Sequence, residues 1–251
     1  MVNKYPKNIS FYGISLDGKI SFGYNPDIKY SCASSIKAPF SLYCYKQIEN
    51  GNNTFDEIVL YNSNYYSTGT GIIKSSNKKQ FTIEELLFNT IYHSDNIAYG
   101  MLYDYFGTEG YNKMMDELGC SYLKLGTNSQ WGFASPREMV LVWQEIYRYK
   151  DTEIGKKFFD TLLDAKYNFL KDSLPDYTIA HKSGWSQRGY NDHGVVFGDT
   201  PYIISIMLPN PEDKDNYQAV FKEITILCNE IMNEYNLYLE NKQVDRVKIY
   251  E

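Results

Sequence analysis

The sequence predicts an α/β plus all-α fold, with an antiparallel sheet formed from both ends of the chain, flanked by helices, and a helical lobe inserted between its halves. Three observations predict it. Apolar residues alternate with period two near the start and again near the end. Between those stretches they recur at helical spacing, bracketed by capping signals. The chain has 251 residues, 43% of them hydrophobic, which is enough to bury one substantial core. The expected organisation places residues 1–31 and 166–251 in an α/β lobe and residues 32–165 in a mainly helical lobe, together one compact unit.

The elements follow in order. Phe11–Ser15 and Ile20–Tyr24 read as the strands of a hairpin, with Asp17-Gly18 supplying the turn. After Asn25-Pro26-Asp27 the chain reaches Ser34. A helix is expected over Ser35–Ile48, with Phe40, Tyr43 and Cys44 on one face and Pro39 in the opening turns, where proline is tolerated. Thr82 and Glu85 form a capping box ahead of Leu86, Leu87 and Ile91. Ser94-Asp95-Asn96 interrupts that pattern, and Ile97, Ala98, Met101, Leu102 and Phe106 resume it. A helix from about Tyr111 ends at Gly119. Ser135-Pro136-Arg137-Glu138 is a second capping box with proline in the favoured first position, and Met139, Val142, Trp143 and Ile146 form the stripe behind it. A charged helix follows over Glu153–Ala165. The period then returns to two, with strands at Tyr177–Lys182, Gly194–Phe197 and Tyr202–Leu208, the last two joined by a turn at Asp199-Thr200-Pro201. A long helix over Tyr217–Leu239 closes the chain, with Val220, Ile224, Leu227, Cys228 and Ile231 inward.

Composition excludes several classes. The net charge is -6, and no basic patch stands out, which argues against a nucleic-acid partner. No apolar run has the length of a transmembrane helix. Met1–Ser10 has lysines but no apolar stretch behind them, so no export signal is legible; the expectation is a cytoplasmic protein or one whose leader has been removed. Cys32, Cys44, Cys120 and Cys228 are scattered without a CxxC pair, which reads as four free, buried thiols rather than a metal site or disulfide framework.

The chemistry lies in three short phrases: Ser34-Ser35-Ile36-Lys37, Ser94-Asp95-Asn96 and Lys182-Ser183-Gly184. SxxK alone is weak, since it occurs at Ser34/Lys37, Ser75/Lys78, Ser76/Lys79 and Ser121/Lys124. Ser75 and Ser76 lie in the polar stretch Lys74–Gln80, and Ser121 follows a helix end. Only Ser34 opens an apolar helix, where amide groups and the positive dipole end favour a developing oxyanion. A lysine one turn later shares its face. Burial near other positive charge lets such a lysine lose its proton and act as a base.

The ordered set S-x-x-K, S-D-N and K-[ST]-G resembles class A β-lactamases and penicillin-binding proteins, and the resemblance covers nearly the whole chain. Ser94 stands 60 residues after Ser34, and Lys182-Ser183-Gly184 falls on the first strand of the closing hairpin. The resemblance implies a β-lactamase/DD-peptidase-like fold and these roles. Ser34 attacks a carbonyl and becomes the acyl-enzyme, and Lys37 is the general base for acylation. Ser94 relays a proton to the leaving nitrogen. Asn96 orients Lys37 and the substrate amide. Lys182 and Ser183 bind the substrate carboxylate, and the backbone N–H groups of Ser34 and Trp185, the latter just after Gly184, form the oxyanion hole. Asp95 reads as a helix cap. Arg188 and His193 are candidates for a further carboxylate contact, whereas His93 and His181 flank motifs without an evident role.

The pattern breaks in one place. Class A enzymes carry a glutamate that activates the deacylating water. Here the corresponding stretch between Leu125 and Ser135 reads Gly-Thr-Asn-Ser-Gln-Trp-Gly-Phe-Ala, without an acidic residue, and Glu138 is accounted for by capping. The expected function is therefore a serine hydrolase that forms an acyl-enzyme at Ser34 with β-lactams or related amides and deacylates slowly. Alternatives are a DD-peptidase-like penicillin-binding enzyme or esterase, and a non-catalytic binding module that retains the site. The expected partner is a small-molecule β-lactam or a D-Ala-D-Ala-like peptide, and no metal or organic cofactor is expected.

Overall fold

In the computed structural model, residues 9–126, 130–209 and 214–247 are described. The opening hairpin forms β1 (Ser10–Ser15) and β2 (Ser21–Tyr24). The closing strands are β7 (Thr178–Ser186), β8 (Gly189–Phe197) and β9 (Tyr202–Leu208). Together they make one antiparallel sheet in the order β2-β1-β9-β8-β7, so both ends of the chain meet at the β1–β9 pairing. Two short ribbons were not anticipated: β3 (Tyr30–Ser31) pairs with β6 (Phe133–Ala134), and β4 (Ile58–Leu60) with β5 (Gln80–Thr82).

β9 is buried along its whole length because both faces of the sheet are covered. Ile203 and Met207 join one apolar cluster, and Ile204, Ile206 and Leu208 join another. The first cluster holds α1 (Lys37–Glu49), α2 (Ile83–Tyr92), α3 (Asn96–Phe106), α4 (Glu109–Glu117), α5 (Pro136–Tyr149) and α6 (Glu153–Leu163). The second is closed by α7 (Phe169–Ser173) and α8 (Lys214–Val247). On α5 the stripe Met139, Val142, Trp143 and Ile146 is fully buried. Each such side chain contributes about 2–3 kcal/mol by leaving water. Because α5 lies against β1 and β9, the middle segment and the sheet share one core.

Both capping boxes form, with Thr82 and Glu85 opening α2 and Ser135 and Glu138 opening α5. Three boundaries differ from expectation. The segment carrying Ser34 is not the first turn of an α-helix: Ala33–Ile36 is a 3₁₀ turn, and α1 begins at Lys37. β7 continues past Lys182 to Ser186, and β8 begins at Gly189 rather than Gly194. The polar residues in that span hide the strand period, yet Ser183, Asn191, Asp192 and His193 are buried and bond to Tyr167, Ser31, His181 and Ser205 respectively. The last helix is longer than its apolar stripe, spanning Lys214–Val247.

Candidate active site

Three structural junctions bring the motifs together. Ala33, immediately before Ser34, has φ +48, in the left-handed region that non-glycine residues avoid. The turn it starts is held from below, where Ser35 Oγ donates to Cys32 O at 2.8 Å and Asn191 Nδ2 donates to Ser31 O at 2.8 Å. Ser94 is also left-handed, at φ +50, in the link between α2 and α3. Its carbonyl accepts Thr70 Oγ1 and Lys37 Nζ, both at 2.6 Å. Asp95 is the N-cap of α3 and more. Its Oδ1 accepts the amides of Ile97 and Ala98, and its Oδ2 accepts those of Ile72 and Ile73, so one carboxylate ties the α2–α3 link to a distant loop. Such off-region residues cost of order 1–3 kcal/mol each and persist only where the surroundings over-determine them.

Lys37 is fully buried, and its Nζ lies at the centre of the site. It reaches Ser94 O at 2.6 Å, Asn96 Oδ1 at 2.7 Å, Ser34 Oγ at 3.1 Å and Ser94 Oγ at 3.3 Å. The two shortest contacts are to oxygens that can only accept. A neutral amine has two hydrogens, and these satisfy Ser94 O and Asn96 Oδ1. The lone pair is then left facing the hydroxyls, with Ser34 Oγ nearest. Burial pushes the Lys37 pKa well below 10.5, the Lys182 charge lowers it further, and Asp95 opposes both. The rings of Trp131 and Tyr99 close over the amine, with centroids 5.3 and 5.9 Å from Nζ.

Lys182 reaches the same serine from the other side. Its Nζ lies 3.0 Å from Ser94 Oγ and 3.0 Å from Ser183 O. It too is buried, which lowers its pKa to about 8, while Asp192 pulls it back up. Side chains on β7 alternate, so Lys182 and Gly184 face the Ser34 turn. A Cβ on Gly184 would collide with the backbone of Cys32, Ser34 and Ser35, so only glycine lets the strand lie against that turn. Ser183 departs from expectation: it faces the other way, wholly buried, and its hydroxyl donates to Tyr167 O at 2.7 Å instead of opening into the cleft. Trp185 is 40% exposed and lines a cleft of about 510 Å³ shared with Ser34, Asn96 and Trp131.

The histidines serve the frame. His181 is buried between Asp192, 3.1 Å from Nδ1, and Asn168 Oδ1, 2.6 Å from Nε2. His193 is buried between Ser205 Oγ at 2.7 Å and Ser35 Oγ at 3.1 Å. Because the Ser35 hydroxyl proton goes to Cys32 O, Nε2 of His193 carries hydrogen and Nδ1 accepts from Ser205. Burial holds that ring neutral, lowering its pKa to about 4. His193 therefore does not meet a substrate carboxylate. His93 caps the end of α2 and packs edge-on to Tyr92. Of the candidates near the β7–β8 turn, only Arg188 lines the cleft.

Sequence reasoning passed over Trp131, Tyr99, Thr70, Asn191 and Asp192. None sits in a recognisable phrase, and each acts through a contact distant in sequence. Thr127, Asn128 and Ser129 of the glutamate-free stretch lie outside the described residues. Among those described, no carboxylate lines the cleft. Glu138 is fully engaged: Oε1 accepts the amides of Ser121 and Tyr122, and Oε2 that of Ser135.

The chain is similar to known proteins in sequence and in fold. A model described as the beta-lactamase enzyme family matches residues 1–232. The chain is 26% identical to beta-lactamase VEB-1 of Pseudomonas aeruginosa over 238 residues, covering 84% of this chain and 80% of that one. Among solved structures, PBP-A superposes with TM-score 0.84 at 20% identity, covering 93% of each chain. A leucine-to-glutamate mutant of PBP-A, in acyl-enzyme complex with penicillin-G, matches with the same TM-score, identity and coverage. A beta-lactamase from Sphaerobacter thermophilus gives TM-score 0.81 at 18% identity, covering 90% of each chain.

Proposed function

The chain belongs to the beta-lactamase enzyme family, and within it we propose that this class A β-lactamase-like serine hydrolase acylates readily at Ser34 and deacylates slowly. The observation that carries the first half is the disposition of Lys37. Its two pure acceptors fix the hydrogens, and its lone pair faces Ser34 Oγ at 3.1 Å. Ser34 Oγ attacks the lactam carbonyl carbon while its proton passes to Lys37 Nζ. The developing oxyanion sits between the amides of Ser34 and Trp185, where β7 lies against the nucleophile turn. The C–N bond then breaks. Ser94 Oγ accepts from Lys182, which keeps the hydroxyl's own proton free for the leaving nitrogen, and it regains one from Lys37 once that amine has taken the Ser34 proton. Lys182 uses two of three hydrogens on Ser94 and Ser183, and its positive charge draws the substrate carboxylate.

Support for the second half comes from the cleft walls. The described lining has no carboxylate, Glu138 is held by three amides, and the Trp131 ring covers the Lys37 amine. General-base assistance to water contributes about 100-fold or more. An adduct lacking it outlives a normal acyl-enzyme by a comparable factor. The same absence favours a second reading, a DD-peptidase-like enzyme acting on acyl-D-Ala-D-Ala peptides, whose release of D-Ala is directly measurable.

The test is intact-mass spectrometry of the protein mixed with benzylpenicillin, beside a chromogenic cephalosporin assay. A mass increase of one penicillin, absent in Ser34→Ala, supports the proposal. A folded protein that shows neither adduct nor turnover overturns it.

A further inference from the structure

The cleft does not end at the nucleophile. Its far wall is shared with a second chamber of about 340 Å³ through Ser31, Phe133 and Arg188, and that chamber is also lined by Lys29. Lys29 Nζ rests on the rings of Phe133 and Tyr122, with centroids 4.8 and 5.5 Å away. Neither Lys29 nor Arg188 forms an ion pair among the described residues, and no described carboxylate lines either chamber. The neighbouring Asp27 is held by Arg137 at 2.7 Å. Two cations thus face one cavity in a chain whose net charge is -6.

The course of β7 says which part of a substrate they meet. Lys182, midway along β7, meets Ser94, and the proposed reaction puts the leaving nitrogen and its carboxylate there. Beyond Gly184 and Trp185 the strand reaches the turn that carries Arg188. A substrate laid along this edge strand therefore directs its acyl substituent towards Phe133, Arg188 and Lys29. The geometry points to an anion-selecting subsite formed by Lys29 and Arg188, which takes an acyl substituent ending in a carboxylate. This rests on the acylation at Ser34 proposed above. A guanidinium matches a carboxylate in two parallel hydrogen bonds, and a lysine held on aromatic faces adds a fixed point charge. Exposed pairs of this kind contribute about 0.2–1 kcal/mol each, so two of them favour the anionic substrate about 2- to 30-fold.

The experiment compares two acylamido-penicillanates of equal chain length, one ending in a carboxylate (an adipoyl chain) and one in a methyl group. The second-order rate of Ser34 acylation is followed by intact mass. The expected result is a carboxylate-to-methyl rate ratio of about 2 to 30 in low salt. That ratio falls towards one in 0.5 M salt and in Lys29→Gln/Arg188→Gln, whose fold is checked by its melting curve. A ratio of one or below in the unaltered protein, with the methyl compound acylating normally, overturns the subsite and leaves the acylation reading intact. Failure of both compounds to acylate folded protein overturns that reading and the subsite with it.

Discussion

Replacing Asp95 by asparagine separates the frame of the site from its chemistry. The Asp95 carboxylate is wholly buried and accepts four backbone amides, from Ile72 at 2.6 Å, Ile73 at 2.8 Å, Ile97 at 2.8 Å and Ala98 at 3.0 Å. Asparagine keeps one acceptor oxygen and caps a helix as well as aspartate does. Its other terminal atom becomes an NH₂ facing two amide donors. Two charge-assisted hydrogen bonds, worth about 1.5–3 kcal/mol each, are lost, and the remaining pair becomes neutral. The expected loss is about 3–6 kcal/mol, measured by urea unfolding followed through the three tryptophans. A second readout concerns Lys37. Asp95 raises the Lys37 pKa, so its removal shifts the acid limb of the acylation pH profile to lower pH. A stability loss under about 1 kcal/mol, with an unmoved acid limb, would refute the reasoning.

Three further outcomes follow from the same geometry. Acylation is expected to be bell-shaped in pH: it rises as Lys37 loses its proton and falls near pH 8 as Lys182 loses its charge. Lys182→Arg stays charged and abolishes the alkaline limb while Ser34 still labels. His193 has a folded pKa of about 4 against an ordinary 6.5, so its neutral burial contributes stability above pH 6.5 that is lost as pH falls to 4. That contribution is about 3 kcal/mol, and the steepness it adds to acid unfolding over this window should vanish in His193→Gln. Gly184→Ala places a Cβ against the backbone of Cys32, Ser34 and Ser35, and acylation should drop about 100-fold or more in stopped-flow labelling.

Much of the fold was legible because local signals agreed with the final packing. The Asp17-Gly18 hairpin, both capping boxes and the α5 stripe need only neighbours in sequence to be recognised. The β7–β8 hairpin was only half legible. Residues 181–183 and 191–193 are polar, and nothing local says that His181 will meet Asp192, or that His193 will meet Ser35 and Ser205. Buried polar networks defeat period counting because long-range hydrogen bonds, not apolarity, account for their burial. The 3₁₀ turn at Ser34 was missed for a related reason: it is shaped by β7 pressing on it at Gly184.

At the site, the three phrases identified Ser34, Lys37, Ser94, Asn96 and Lys182, which the fold brings into one hydrogen-bonded cluster. Ser183 was expected at the carboxylate, yet the alternation of β7 turns its hydroxyl to Tyr167. Trp131 carried no signal at all, since its significance is a distance to Lys37 across the fold.

The central claim is that Ser34 is easy to acylate and hard to free. The lifetime of the penicillin adduct tests it most directly. Protein labelled to completion with benzylpenicillin is freed of excess reagent and sampled by intact mass over time. The account predicts one adduct on Ser34, decaying at least about 100-fold more slowly than it forms under saturating drug. Disappearance of the adduct as fast as it forms, with stoichiometric release of penicilloate, would contradict it.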